Sequence, residues 1–166
     1  MQANLTAALA VHEVIVLEGC DGAGKTSLAD ALRDQHGYAV THSGRTCDDT
    51  DLAARYRRIL AAPGKIVLDR SFVSELVYGP LFHGRSRITP PAAIDLARRA
   101  AGRGGVLVHL TGSPGVIADR LISRDGTAPP LEQLRDIIDA YHAAFGLLDR
   151  AAPVITIDTT IAPLQP

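Results

Sequence analysis

The sequence predicts an α/β chain: one five-stranded parallel sheet with helices on both faces. Two observations carry this. Short runs of branched apolar residues alternate with longer segments of helical periodicity along all 166 residues. A glycine-rich segment, Gly19–Lys25, also separates the first such strand from the helix after it. The length fits one domain over residues 1–166, and an apolar content of 46% supports a core.

The strands and helices follow in order. Val14–Leu17 reads as a buried strand by length and branching. Lys25–His36 is predicted helical, with Leu28 and Leu32 one turn apart. Tyr38–Thr41 is a short second strand, and Asp51–Ala62 a helix stopped by Pro63-Gly64. Ile66–Leu68 is a third strand running into Asp69-Arg70. Val73–Tyr78 begins a helix expected to break near Gly79-Pro80. Pro91–Gly102 is helical and Val106–Leu110 is a fourth strand. Ser113-Pro114 pairs an N-cap with proline at the first helical position, opening a helix that carries Val116, Ile117 and Leu121. Pro129-Pro130 opens the last helix, whose stripe is Leu131, Leu134, Ile138, Tyr141, Phe145 and Leu148. Val154–Ile157 is the fifth strand, and 161–166 reads as a loose tail.

Charge and composition narrow the function classes. A formal net charge of −1 supplies no global basic field for nucleic acid. Two cysteines, Cys20 and Cys47, suit a reducing compartment and match no zinc spacing. The apolar stretch Leu5–Leu17 is interrupted by Thr6, His12 and Glu13 and lacks secretory-signal flanks, so no membrane segment is predicted and a cytoplasmic location is expected.

Gly19-Cys-Asp-Gly-Ala-Gly-Lys25-Thr26 satisfies G-x-x-x-x-G-K-[ST], with a strand entering and a helix leaving. This makes the expected architecture a three-layer P-loop NTPase fold. Backbone N–H groups of Gly19, Asp21, Gly22, Ala23, Gly24, Lys25, Thr26 and Ser27 are candidates to cradle the phosphates of ATP. Lys25 is placed to reach the β- and γ-phosphates and Thr26 to ligate Mg²⁺. Asp69-Arg70 lies at a strand carboxyl end, where the ligand crevice of a parallel sheet opens. Arg70 is a candidate phosphate grip and Asp69 a candidate Mg²⁺ partner through water; the plainer alternative is a structural ion pair. Arg120 and Arg124 share a helix face in a region of about 111–130 that suits a lid, and a solvated basic face is the competing reading.

These segments resemble the thymidylate kinases. Leu17-Glu-Gly-Cys-Asp-Gly-Ala-Gly-Lys-Thr26 looks like their P-loop, and Asp69-Arg-Ser-Phe-Val-Ser-Glu-Leu-Val-Tyr78 is similar to their DRYxxSxxAY segment. Leu110–Arg124 resembles their approach to the lid. The resemblance implies transfer from ATP·Mg²⁺ to a deoxynucleoside monophosphate. By position it implies Arg70 on the acceptor phosphate, Asp21 near the acceptor sugar, and Ser74 and Tyr78 lining the acceptor pocket. With Gly22 in place of a basic P-loop residue, Arg120 and Arg124 would supply charge from the lid. Dimers are common among such relatives, although no residue here marks an interface.

The sequence departs from that pattern at three places. Gly79 stands where the family often has a base-reading glutamine. Thr41–Thr46 replaces an arginine-bearing segment, with His42 or Arg45 as substitute on the substrate side. Ser71 is closer to deoxynucleoside kinases, and with it Glu18 becomes a candidate base for a hydroxyl acceptor. A hydroxyl acceptor, either a free deoxynucleoside or a hydroxymethylated base in DNA, is therefore the second reading. The third is a slow nucleotide-binding regulator; no Asn-Lys-x-Asp segment supports a switch GTPase.

Overall fold

The computed structural model describes residues 2–44, 46–47 and 49–161. Helix α1 (Gln2–Leu9) precedes β1 (Val14–Glu18), which runs through the glycine-rich loop into α2 (Lys25–His36). Then come β2 (Ala39–His42), α3 (Leu52–Ala61), β3 (Ile66–Asp69), α4 (Phe72–His83) and α5 (Pro90–Gly102). β4 (Val106–Thr111), α6 (Pro114–Asp125), α7 (Leu131–Leu148) and β5 (Val154–Asp158) complete the chain.

The five strands form one parallel sheet in the order β2-β3-β1-β4-β5. Every residue of β1, β3 and β4 is buried. Successive strand side chains point to opposite faces, so unbroken burial means that both faces are covered. α2 packs on β1, β2 and β3 with α1 behind it, while α3, α4, α5 and α7 form a second connected layer in which α5 meets β1 and β4. The edge strands β2 and β5 are only partly buried.

The expected Ser113 cap is present, and Thr89 and Asp51 cap two further helices. Ser113, Thr89 and Asp51 each accept a hydrogen bond from a backbone N–H three residues on, and prolines occupy the first positions of α5 and α6. Two local expectations need correction. α4 does not break at Gly79-Pro80 but runs on to His83, ending at Gly84 with φ 68°. Gly79 is there for close approach: a Cβ on it would lie 2.7 Å from the Arg85 carbonyl oxygen, so the chain beyond the helix can fold back across it. The second is α1, which was not foreseen because its polar residues, Gln2, Asn4 and Thr6, are spread among the apolar ones and leave no stripe. It is anchored by buried Leu9 and by Thr6, whose hydroxyl donates to Gln35 Oε1 at 2.8 Å. The tail from 162 onward lies outside the described residues. No described helix is long and apolar enough to cross a membrane.

Candidate active site

Sheet register assembles the site. β1 and β3 are neighbours, with Leu17 opposite Asp69, so the glycine-rich loop and Asp69-Arg70 leave adjacent strand ends. β2 brings His42 opposite Asp69 on the other side. All three carboxyl ends open on one edge, where parallel sheets bind ligands.

The loop is shaped for an anion. Gly19 has φ 149°, and a Cβ on it would sit 2.1 Å from the Leu110 carbonyl oxygen, so only glycine lets the backbone pass. Gly24, in the left-handed region, caps α2 without any side-chain acceptor, which leaves first-turn N–H groups for a ligand. Lys25 Nζ donates to the carbonyls of Gly19 at 2.7 Å and Cys20 at 2.9 Å, inside the loop's curve. Burial pushes the Lys25 ammonium down from its ordinary value, and nearby Glu18, Cys20 and Asp69 oppose that shift. Thr26 Oγ1 donates to Asp69 Oδ2 at 3.0 Å, and His42 Nδ1 lies 2.9 Å from the same oxygen.

These groups line a cleft of about 350 Å³ with Asp21, Ser27, Ser43, Gly44, Arg70 and Arg124. Its chemistry fits a nucleotide phosphate chain with a hard divalent cation: a hydroxyl, a carboxylate and a row of N–H groups. Among the described residues no cluster of three or more His, Cys, Asp or Glu could hold a metal alone, so a cation here would be shared with phosphate oxygens.

A second cleft of about 340 Å³ adjoins the first and shares Asp21, Ser43, Gly44 and Arg70 with it. Its far wall carries Tyr56, Ser74, Glu75, Tyr78 and Arg87. Arg70 stands at the joint and is the one described non-glycine residue with positive φ, at 65°. Such a backbone persists only where its surroundings over-determine it, and it aims the guanidinium at Asp21, its ion-pair partner. Arg87 pairs with Glu75 at 3.1 Å and also donates to Thr46 Oγ1 at 3.1 Å, which ties α4 to the segment after β2. Burial raises the Tyr78 phenol to about 12, so it stays a donor at neutral pH.

Several sequence-predicted residues therefore meet: Asp21, Gly22, Gly24, Lys25, Thr26, Ser27, Asp69, Arg70 and Arg124 on the first cleft, and Ser74 and Tyr78 on the second. Gly19 and Ala23 support the loop without lining either cleft. Glu18 and Arg120 lie apart from both clefts. Glu18 is fully buried. Its Oε1 accepts from Ser71 N at 2.6 Å and Ser71 Oγ at 2.8 Å, and its Oε2 from Ser74 Oγ at 2.6 Å and Tyr141 Oη at 3.3 Å. Burial raises its pKa against the opposing pull of Ser74, Ser71 and Lys25. Its place is that of a clamp joining β1, α4 and α7.

Arg120 likewise lines neither cleft: it donates to the Thr159 carbonyl at 2.7 Å, Thr159 Oγ1 at 2.9 Å and the Gly22 carbonyl at 3.4 Å. Arg124, one turn on, does reach the phosphate cleft, with Asp125 as its ion-pair partner. Arg45 lies outside the described residues. The Glu75–Arg87 pair was not foreseen as a unit. Its signal was present, because a glutamate in the α4 segment and an arginine just past the Gly84 turn are brought together once the chain reverses.

No protein-family model and no curated protein matches this sequence. Solved structures do. The YorR protein of Bacillus subtilis in complex with phosphorylated GDP superposes with a TM-score of 0.81 at 20% identity, covering 91% of this chain and 88% of that one. Deoxyadenosine kinase of M. mycoides with bound dCTP gives 0.58 at 14% identity, over 89% and 90% of the two chains. Shikimate kinase of Acinetobacter baumannii in complex with shikimate gives 0.54 at 17%, over 93% and 87%. The five-stranded parallel sheet and its flanking helices are thus the α/β fold that these solved structures share.

Proposed function

We propose that this chain is a nucleotide kinase that transfers the γ-phosphate of ATP to the phosphate of a (deoxy)nucleoside monophosphate. The observation that carries the reading is Arg70, shared by the two adjoining clefts and held in a left-handed backbone at their joint. One cleft has the chemistry of a triphosphate site, and a cation at the joint can hold donor and acceptor phosphates in line.

The residues divide the work. The glycine-rich loop and the α2 N-terminus bind the phosphate chain through N–H groups. Lys25 follows the transferring group and balances its charge. Thr26 and, through water, Asp69 would hold Mg²⁺, which when bound would supply charge neutralisation at the phosphates. Asp21 orients Arg70, Arg124 approaches from α6, and the 111–130 region closes to exclude water. A phosphate acceptor is already an anion, so no base is required of the protein. That agrees with the inward turn of Glu18. The ligands of the YorR and deoxyadenosine kinase structures, phosphorylated GDP and dCTP, are nucleotides and support a nucleotide as ligand of this fold.

A hydroxyl acceptor remains the second reading, favoured by Asp21: its carboxylate, 47% exposed, lines both clefts and is placed to take a proton. The test is an acceptor screen with ATP and Mg²⁺ that follows ADP release, with deoxynucleoside monophosphates, free nucleosides and DNA bearing hydroxymethylated bases. Release with a monophosphate is expected. Release with nucleosides or DNA alone would replace the first reading by the second.

A further inference from the structure

A third cavity, of about 410 Å³, continues the acceptor cleft past Tyr78. It shares Asp21, Tyr78 and His83 with that cleft and Asp21 with the phosphate cleft, so the three cavities meet at Asp21. One wall is aromatic: Phe82 stacks on Tyr78 with ring centres 5.7 Å apart and planes at 25°. Phe82 is nevertheless 45% exposed, although it is a large apolar ring. Buried Cys20, Leu121, Leu134 and Ile137 form the remaining apolar walls. Into this lining α7 inserts one carboxamide, Gln133, in its first turn. Among the described residues the Gln133 side chain makes no hydrogen bond, so both its N–H₂ donor and its carbonyl acceptor are available.

A largely apolar chamber with an aromatic wall, Asp21 and His83 on the side shared with the second cleft and one uncommitted carboxamide suits a flat heteroaromatic ring, with stacking on its face and a donor–acceptor pair on its edge. We propose that this chamber seats the nucleobase of the acceptor and that Gln133 is the residue that reads the base. The inference rests on the nucleotide-kinase reading and adds a register to it. The acceptor phosphate lies at Arg70, the sugar along Ser74 and Tyr78, and the base beyond Tyr78 against Phe82 and Gln133. A glutamine offers paired contacts to an amino and ring-nitrogen edge, or to a carbonyl and imino edge, and so discriminates between bases that fill the same space.

The experiment compares kcat/KM for the four deoxynucleoside monophosphates in the wild-type chain, Gln133→Leu and Phe82→Ala, with acceptor binding measured separately by calorimetry. Leucine is a good helix former of similar length, and position 133 is half-exposed, so the variant should fold; thermal melts verify this. Gln133→Leu is expected to reduce the preference between best and worst base by about tenfold or more, since a recognised edge loses its partner. Phe82→Ala should weaken binding of every base alike. A wild-type enzyme that turns over a monophosphate, and whose base preference and binding survive both substitutions, would overturn the chamber assignment alone. A wild-type chain that turns over no monophosphate would remove the underlying kinase reading, and this inference with it.

Discussion

Arg70 stands at the joint of the two clefts. Its φ of 65° is costly for any residue with a Cβ, and its ion pair with Asp21 and place between two clefts are what the strain maintains. The two contributions separate by substitution. Arg70→Gly removes the guanidinium and relieves the backbone, whereas Arg70→Ala removes the guanidinium and keeps the strain. We expect Arg70→Gly to be more stable than Arg70→Ala by about 1 kcal/mol in denaturant unfolding. Both should lose acceptor use at least about a hundredfold in kcat/KM. Equal stabilities would contradict the strain, and retained acceptor kinetics would remove Arg70 from the site. The sequence named Arg70, Lys25, Thr26 and Asp69 because their roles follow from motif and strand position. It left the directions of Glu18 and Arg120 open because residue type alone does not say which way a carboxylate or guanidinium turns. Glu18 turns inward to five donors, and Arg120 turns to the Thr159 and Gly22 carbonyls.

Elements bring those residues together through sheet register and helix packing. The strands were legible as apolar runs because β1, β3 and β4 are covered on both faces. α4 was misjudged because glycine and proline usually end helices, whereas here Gly79 makes room for the Arg85–Ser86 backbone, a contact between segments that local rules do not contain. Gly79→Ala is therefore an unusually costly substitution for a helix. A Cβ would meet Arg85 O at 2.7 Å and Ser86 Cα at 2.8 Å, both backbone atoms. We expect a loss of about 2 kcal/mol in unfolding free energy, where alanine in an exposed helix would normally gain stability. A neutral or stabilising result would show that the turn after α4 moves aside. The Glu75–Arg87 pair depends on this same fold-back. The far wall of the second cleft was hidden in the sequence for that reason.

The whole molecule places a histidine in its core. His109 on β4 is 2% exposed, stacked on Phe145 of α7 with ring centres 4.4 Å apart, and its neighbour His142 lies at 4.8 Å. Burial, aided by His142, pulls its pKa from 6.5 down to about 4. A folded-state pKa below the unfolded value means the neutral form is favoured by folding, so this stabilisation is complete above pH 6.5 and is lost as pH falls toward 4. The melting temperature should drop over that window, and His109→Phe should flatten the drop; an identical slope in the variant would assign it to other groups. The global architecture was the most legible level of all. Alternating strand and helix patterns around one phosphate loop specify it, and a solved structure only 20% identical superposes with a TM-score of 0.81.

The central claim is that phosphate moves from ATP to a nucleotide phosphate at the junction marked by Arg70. Product analysis tests it most directly: ATP, Mg²⁺ and a deoxynucleoside monophosphate are incubated with the wild-type chain and with Lys25→Ala, and the phosphorylated product is identified by mass and ³¹P resonance. The account predicts a nucleoside diphosphate from the wild type and at least about a hundredfold less from Lys25→Ala. ATP consumed to free phosphate with no diphosphate formed from any monophosphate, or full product from Lys25→Ala, would contradict it.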